Sequence, residues 1–324
     1  MLTYLKLVLA MLFYGVSFVS TKVALTAFGP VTILWIRLAL SAGFLVALDA
    51  FLPDLPAGDR RAHAGADGPE SPVAAAARRP APAATRRWPL LSDLGPILLV
   101  TLFQPLLYFL AENIGLQYVS ASIASIIIAT IPVFTPVVAR PFLGERVGLL
   151  TVTGLVLSLA GVAVIVLERQ LEAQFTAGGL ALIFVAVLAA VGYTIAVKLV
   201  PARYRPLTIV KLQSVIGLPI VLVIALVTEG LPAELPDVDV VAHVLYLGIF
   251  PSSLAFVFLS GGIRAIGANR ANVFVNLVPV FTALVAWALL GELFTLQKLA
   301  GMAVVILGVF AAQRGQARAR GAAR

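Results

Sequence analysis

Ten apolar segments follow one another along this chain, and their length leaves few ways for it to fold. A helix needs about 20 apolar residues to cross a hydrocarbon core of ~30 Å. The segments that meet this length are Leu5–Val23, Val31–Leu52, Leu94–Ala111, Ser120–Ala139, Leu149–Leu167, Gly179–Leu199, Leu207–Val227, Val241–Gly262, Ala268–Leu290 and Leu296–Ala312. The pattern therefore predicts an all-α integral membrane protein with ten transmembrane helices joined by mostly short connections.

The charged residues are too few to cover a soluble protein. They make up 12% of the chain, against about 25% in an ordinary soluble domain, and the mean hydropathy is +1.04. The formal net charge of +8 lies in loops and tails without interleaved aromatic residues, which argues against nucleic acid as a partner. The expected partners are the lipid bilayer and a small-molecule substrate, and the sequence leaves a monomer and a homodimer equally open.

The sequence offers little material for an enzyme. It has no cysteine, which excludes disulfides and thiolate metal sites, and its two histidines are His63 and His243. None of the HExxH, P-loop or nucleophile-elbow patterns is present. We therefore predict no catalytic residue, no metal and no cofactor.

The basic residues predict the orientation of the spans. If the N-terminus is cytoplasmic, nearly all lysines and arginines of the connections fall inside, and the outer segments clearly hold only Arg169 and Lys298. The connection from Thr228 to Val240 carries four acidic residues and no basic one. Because lysine and arginine concentrate in cytoplasmic loops, we expect a multi-pass protein of the inner (plasma) membrane with both termini cytoplasmic. The first span is interpreted as a retained helix rather than a cleaved signal peptide.

One segment differs in kind from the rest of the chain. Residues Pro53–Pro89 are rich in Ala, Pro, Arg and Gly and lack apolar periodicity. This composition predicts a disordered cytoplasmic linker, interpreted as a tolerated insertion rather than a regulatory domain. Residues 315–324 form a basic tail, also expected in the cytoplasm.

The sequence repeats itself. The string PVFT occurs at Pro132–Thr135 and again at Pro279–Thr282, an offset of 147 residues (279 − 132). At this offset, positions 108 to 167 align with the second half of the chain without a gap. Earlier in the chain the offset is 176 residues, which places Lys22 opposite Lys198 and Pro30 opposite Pro206. The difference, 176 − 147 = 29 residues, is roughly the linker that only the first half contains.

Each half therefore holds five predicted helices, at residues 1–168 and 178–314. Because five is odd, the second half enters the membrane from the opposite side. Inverted repeats of this kind are typical of secondary transporters, whose substrate site lies near the midplane between the repeats. The fold expectation is two inverted five-helix repeats.

Polar side chains inside the apolar spans are the candidate binding residues, because exposure to hydrocarbon is costly for them. In the ninth span Asn269, Asn272 and Asn276 share one helical face that leads to Pro279. For these asparagines, cavity lining and hydrogen bonding between packed helices are both open, whereas packing is favoured for Ser122 and Ser125 in the fourth span. The predicted substrate-binding residues are Tyr14, Gln104, Tyr108, Tyr193, Asn272 and Asn276.

Three ionisable residues of the spans are candidates for a charged gate or for ion coupling: Lys22, Arg37 and Glu112. All three fall towards the outer ends of their helices, so snorkelling to the interface is the alternative and is slightly favoured. The same caution applies to Lys198 and Lys211 at the cytoplasmic ends.

Two further repeated features concern the backbone. Pro132 and Pro279 remove a backbone hydrogen bond, which predicts a kink in each half that is either mobile or static. The repeated turns Gly144-Glu145 and Gly291-Glu292 place an acidic residue just before the next helix. There it is expected to stabilise the positive helix N-terminus.

The order of these motifs resembles the EamA-type members of the drug/metabolite transporter superfamily. The resemblance rests on Lys22 late in the first helix, on Pro30, Trp35 and Arg37 opening the second, and on the stretch NIGLQYVSA from Asn113 to Ala121. The repeated Pro-Val-Phe and Leu-Gly-Glu elements complete it, and it covers nearly the whole chain outside the linker and tail.

That resemblance implies a ten-helix fold with a central cavity formed by both halves. It also implies a secondary transporter, with efflux of small polar metabolites (amino-acid-like compounds or drugs) by alternating access. A channel or a membrane scaffold without alternating access is the competing hypothesis.

The topology can be tested because the chain has no cysteine of its own. Cysteines introduced at Gly68 and Glu234 should react with membrane-impermeant reagents from opposite sides of the membrane. Labelling of both from one side would remove the predicted inversion of the two halves.

Overall fold

The computed structural model of this chain describes residues 2–51, 90–135, 149–166, 175–201, 203–230, 236–266, 271–292 and 295–321. Within these ranges the fold is helical, apart from one isolated bridge between Val119 and Phe175. The predicted class of all-α membrane protein is confirmed. The linker at 53–89 and the turn Gly144-Glu145 lie outside the described residues.

The helices agree closely with the apolar segments. In chain order they are α1 (Leu2–Ala24), α2 (Pro30–Phe51), α3 (Leu91–Tyr118), α4 (Ala121–Thr135), α5 (Leu149–Val166), α6 (Ala177–Leu199), α7 (Pro206–Thr228), α8 (Val238–Ile266), α9 (a 3₁₀ turn at Val273–Leu277 and an α-helix at Val278–Leu290) and α10 (Leu296–Gly321). Among the described residues, six helices (α1, α2, α3, α6, α7 and α8) are long and apolar enough to cross a membrane. The other four carry shorter apolar stretches. Helix α10 continues past the predicted end of its span into the basic tail.

Polar contacts gather the helix ends on the side where α1 begins, called here the N-terminal side. Lys211 at the start of α7 donates to Asp49 near the end of α2, with Nζ 2.6 Å from Oδ2. Arg203, just before α7, pairs with Asp93 at the start of α3. Arg264, near the end of α8, donates to backbone carbonyls of the loop between α6 and α7. These contacts place both ends of that loop and the end of α8 on one side.

Carboxylates bind helix N-termini on the opposite side. The Glu229 carboxylate, after α7, accepts hydrogen bonds from the backbone N–H groups of Val31 (2.9 Å) and Thr32 (2.8 Å) at the start of α2. Glu292, after α9, accepts from the backbone N–H of Ala121 at the start of α4 (3.0 Å). The first N–H groups of a helix lack intrahelical partners and carry partial positive charge, so a carboxylate stabilises them. The contacts on both sides together show that these helices alternate in direction.

Glu292 also stabilises a helix N-terminus that the sequence pattern did not indicate. The pattern assigned it to the helix that follows it, and the structure adds a hydrogen bond to the start of α4. Sequence spacing reports only neighbours along the chain, so it could not indicate this partner from the other half of the molecule.

The packing between helices contains contacts that recur at the offsets of the two sequence repeats. Gly115 of α3 lies against Ile183 of α6, and Gly262 of α8 lies against Leu7 of α1. The offsets relate these residues, since 115 + 147 = 262 and 7 + 176 = 183. Each glycine allows close approach, because an added Cβ would overlap the facing side chain.

A second pair of contacts recurs where α2 and α7 meet the middle of α3 and α8. Ser41 donates to the backbone carbonyl of Ser252 at 3.1 Å, and Pro105 lies against Gly217. These are again related by the offsets, since 41 + 176 = 217 and 105 + 147 = 252. Near the centre, Phe109 contacts Phe256, its own equivalent, with ring centroids 5.7 Å apart.

Four helices have irregular backbone near their middle or start. A π-helical turn spans Leu102–Leu107 in α3, and another spans Phe250–Ala255 in α8, each containing a proline. In α4 a turn at positions 129 and 130 comes just before Pro132, and in α9 the 3₁₀ turn ends next to Pro279. The sequence pattern singled out only the last two sites, although Pro105 and Pro251 mark the first two.

Removing the charge that binds the start of α2 should destabilise the bundle. Because Glu229 accepts two backbone hydrogen bonds there, we expect Glu229→Gln to lower the free energy of unfolding by about 1 kcal/mol, allowing for its exposed position. Asp237→Asn is the matched control, since Asp237 precedes α8 on the same side but its side chain makes no cap hydrogen bond. Equal melting temperatures of the two purified variants would contradict the assignment.

Candidate functional site

A cavity lies at the centre of the bundle, between α1, α3, α4, α6, α8 and α9. Its volume is about 50 Å³, and about 490 Å³ when the open space around its mouth is counted. Its wall contains Tyr14, Phe18, Gln104, Tyr108, Ile128, Ile131, Ala190, Tyr193, Thr194, Leu259, Asn272, Val275 and Val278. Most of the wall is apolar, with three tyrosines, one threonine and two amides as its polar groups.

The structure brings together most of the residues that the sequence singled out for binding. Five of the six line this cavity: Tyr14, Gln104, Tyr108, Tyr193 and Asn272. Asn276 is not in the cavity wall. It lies one helical turn beyond Asn272 and is 9% exposed, and neither its Nδ2 nor its Oδ1 has a hydrogen-bond partner.

The broken backbone of α3 accounts for the position of Gln104. This residue has an extended conformation (φ −151°, ψ 121°) inside the helix, directly before Pro105. Proline has no N–H to donate, so the regular helical ladder is interrupted here. Within hydrocarbon, irregular backbone is tolerated only where protein or a cavity surrounds it. The break therefore lies at the cavity and adds a buried amide side chain to its wall.

The polar groups of the wall differ in how far they are satisfied. Tyr108 donates to Glu112 Oε1 at 3.0 Å, and the hydroxyls of Tyr193 and Ser260 lie 2.8 Å apart. Asn272 donates to Thr135 Oγ1 at 3.3 Å. The hydroxyl of Tyr14 is buried without a hydrogen-bond partner. Such a group is expensive to leave unpaired, so it is available to a solute in the cavity.

The contact between Asn272 and Thr135 bears on the two interpretations left open for the asparagines. Thr135 lies in α4 and Asn272 begins α9, so this amide links two helices and lines the cavity at the same time. In α4 the Ser125 hydroxyl donates to the carbonyl of Ser122 within the same helix at 2.8 Å, and the Ser122 hydroxyl is buried without a partner.

Aromatic rings pack against one another beside the cavity. Phe256 makes edge-to-face contacts with Tyr14 (5.5 Å), Tyr193 (5.8 Å) and Phe109 (5.7 Å). Each such contact contributes about 0.5–1.5 kcal/mol beyond the burial of area. The guanidinium of Arg37 lies over the other ring of this cluster, 3.9 Å from the Phe109 centroid.

Arg37 is enclosed by protein at this place. Its Nε donates to Ser252 Oγ at 3.0 Å, and its Nη1 lies 3.5 Å from Asn113 Oδ1. Its Nη2 is buried without a partner, and no carboxylate of the described residues pairs with it. Sequence reasoning missed this cluster, whose signals are the Trp-x-Arg order and the recurrence of Phe109 at position 256.

The snorkelling interpretation is wrong for Arg37 and Glu112, whose residues are 1% and 3% exposed. It is also wrong for Lys211, which is buried in its ion pair with Asp49. Their depth along each helix suggested the interface, but neighbouring helices cover them. Lys22 is half-buried and lies near Glu292 rather than at the cavity.

The fold and the cavity define a multi-pass α-helical membrane protein with an internal cavity lined by residues of several helices. The model of the EamA-like transporter family matches this chain twice, at residues 72–167 and 177–312. The chain therefore belongs to this family and is a membrane transporter, which confirms the resemblance seen in its motifs.

Individual proteins agree with this assignment. An uncharacterized transporter of Archaeoglobus fulgidus is 28% identical over 219 residues, covering 67% of this chain and 77% of the relative. A probable terminal-alkyne amino-acid exporter of Streptantibioticus cattleyicolor is 31% identical over 208 residues, covering 64% and 69%. A solved crystal structure superposes with a TM-score of 0.60 over 98% of both chains at 16% identity, which shows a shared fold.

The unpaired amide of Asn276 generates a stability prediction. Because neither polar atom of this buried amide is hydrogen-bonded, Asn276→Leu should raise the free energy of unfolding, by about 1 kcal/mol. Asn113→Leu is the matched control and should lower it, because the Asn113 amide donates to the carbonyl of Pro30 at 3.0 Å. Thermal unfolding of the purified variants measures both, and a fall in melting temperature for Asn276→Leu would contradict the prediction.

Proposed function

We propose that this chain is a secondary transporter that exports small polar metabolites, amino-acid-like compounds or drugs, by alternating access. It would do so with ten transmembrane helices arranged as two inverted five-helix repeats, at residues 1–168 and 178–314. The observation that carries the proposal is the central cavity, whose wall combines tyrosines and amides from both halves.

Two observations support the inverted repeats. The family model matches the chain twice, once in each half. The recurring contacts of Gly115 with Ile183 and of Gly262 with Leu7 join the third helix of one half to the first helix of the other. An inverted pair of repeats related by a two-fold axis in the membrane plane requires this exchange.

The composition of the cavity wall favours an organic solute over a bare ion. Ion sites are built from clustered oxygen ligands or rings of charge, whereas this wall is aromatic and aliphatic with isolated amide and hydroxyl groups. Amides at Gln104 and Asn272 suit the polar end of a small metabolite, and the tyrosine rings suit its apolar part. An amino-acid-like substrate combines the two, and one relative is named as a probable amino-acid exporter.

Alternating access is supported by the asymmetry of the cavity wall. Tyr193 in the last two turns of α6 and Asn272 at the start of α9 line it on the N-terminal side. Their equivalents on the other side, Ser17 and Ser125, do not line it, although Phe18 in the last two turns of α1 does. Under the proposed orientation, with both termini cytoplasmic in the inner membrane, this conformation is open towards the cytoplasm.

The three candidates for a charged gate or for ion coupling lie at two different positions in the bundle. Arg37 and Glu112 lie beside the cavity, so they are the proposed gate and coupling groups, whereas Lys22 would act at the outer edge of the bundle. The backbone irregularities next to Pro132 and Pro279 are proposed to allow the helices to bend.

The transport test uses protein reconstituted into proteoliposomes and a screen of amino acids, their derivatives and drugs. A transporter should give flux that saturates with solute concentration and that is accelerated by unlabelled solute on the far side. For the solute found, Gln104→Ala and Asn272→Ala should raise KM, roughly tenfold for a lost hydrogen bond to a polar ligand group. The control Gln213→Ala removes a buried amide in α7 that does not line the cavity and should leave KM unchanged.

A channel or scaffold predicts different results. A channel gives flux that rises linearly with concentration and shows no acceleration by solute on the far side, and a scaffold gives none. Unchanged KM in both Gln104→Ala and Asn272→Ala would remove these residues from the binding site.

A further inference from the structure

Some residues of the cavity wall come in equivalent pairs from the two halves of the chain, and others do not. At the offsets of the sequence repeats, four pairs of equivalent positions have both members in the wall: 14 and 190, 18 and 194, 128 and 275, and 131 and 278. The remaining lining residues have no equivalent in the wall. They are Gln104 and Tyr108 in the first half, and Tyr193, Leu259 and Asn272 in the second.

The equivalent positions of the last three residues carry different chemistry. Tyr193 corresponds to Ser17 (193 − 176), Leu259 to Glu112 (259 − 147), and Asn272 to Ser125 (272 − 147). The recurring contacts of the fold support this register on both offsets, because Gly115 meets Ile183 where Gly262 meets Leu7. The aliphatic Leu259 therefore has a carboxylate as its counterpart.

In this conformation Ser17, Glu112 and Ser125, the equivalents of those three residues, all make hydrogen bonds outside the cavity wall or behind it. The hydroxyl of Ser17 donates to the carbonyl of Tyr14 at 2.7 Å. The hydroxyl of Ser125 donates to the carbonyl of Ser122 at 2.8 Å. Glu112 Oε1 accepts from Tyr108, whose own ring lines the cavity. Glu112 is thus one side chain away from the cavity, behind Tyr108.

Exchange of conformation between two inverted repeats turns a cavity open on one side into a cavity open on the other. Once each repeat has taken up the conformation of the other, a residue lines the wall if its equivalent in the other repeat lines the wall in the present structure. Ser17, Glu112 and Ser125 then enter, and Tyr108 leaves together with Gln104. The departure of Tyr108 uncovers the carboxylate that it hides.

We propose that Glu112 lines the cavity only when it opens on the side opposite the N-terminus, and that its carboxylate there binds a cationic amine. This inference rests on the alternating access of the proposed function. The wall offers Leu259 when open on the N-terminal side, and a carboxylate when open on the other. Arg37 stays outside the wall in both states, because its equivalent Gln213 (37 + 176) does not line the cavity.

Accessibility to thiol reagents tests the first part of the proposal, because the chain contains no cysteine. Leu259→Cys and Glu112→Cys form a matched pair at equivalent positions. In vesicles of known orientation, Leu259→Cys should react with a membrane-impermeant reagent from the N-terminal side, and Glu112→Cys from the opposite side. Asn272→Cys and Ser125→Cys are a second pair, for which the same result is expected.

Charge selectivity tests the second part. In Ser125→Cys protein, the rate of thiol reaction from the opposite side is measured with a cationic trimethylammonium thiosulfonate and with its anionic sulfonate analogue. Replacing Glu112 by Gln in this background should lower the ratio of cationic to anionic rate, roughly tenfold for a unit charge nearby. Replacing it by Asp should largely restore the ratio, and the melting temperature of each variant shows whether it is folded.

The outcomes separate this inference from the proposed function. If both members of each pair react from the same side only, the cavity does not alternate and the proposed mechanism fails. If Ser125→Cys and Leu259→Cys react from opposite sides while Glu112→Cys reacts from neither, alternation stands and this inference is overturned. A rate ratio unchanged by Glu112→Gln overturns it as well, even where Glu112→Cys does not fold.

Discussion

The absence of water from the hydrocarbon core is the constraint on which this structure depends. Each backbone N–H and C=O in that region has to be satisfied within the protein, so only regular helix can face lipid. The chain nevertheless breaks its helices at Leu102–Leu107, at Phe250–Ala255 and at Val273–Leu277. The breaks at Gln104 and Val275 both contribute to the cavity wall. Irregular backbone and the binding cavity thus coincide for one physical reason.

Charged side chains organise the two edges of the bundle. At the edges, free N–H groups of one helix are bound by carboxylates from elsewhere in the chain, as Glu229 binds the start of α2 and Glu292 the start of α4. On the other side, Asp49 and Asp93 pair with Lys211 and Arg203. Strong charged contacts therefore hold the rims, while weaker aromatic and amide contacts hold the middle, where the cavity lies.

The sequence predicted those features that depend on depth in the membrane and on the polarity of single residues. Tyr14, Gln104 and Tyr193 stood out because each is polar within an apolar run, and all three line the cavity. It did not predict which neighbour covers a residue, so snorkelling to the interface was slightly favoured for the gate candidates Arg37 and Glu112, although other helices enclose them. Asn276 shares a helical face with Asn272, yet a shared face does not ensure that both residues reach the same space.

The ring of Phe256 bears on how the proposed alternation between open sides would proceed. It touches Tyr14, Tyr193 and Phe109 edge to face, and none of these three contacts is a hydrogen bond or an ion pair. Rearrangement of these rings would therefore strip no polar group of a partner, which is what makes the breaking of a buried hydrogen bond costly. Screening by salt acts on charges and not on the dispersion forces between these rings.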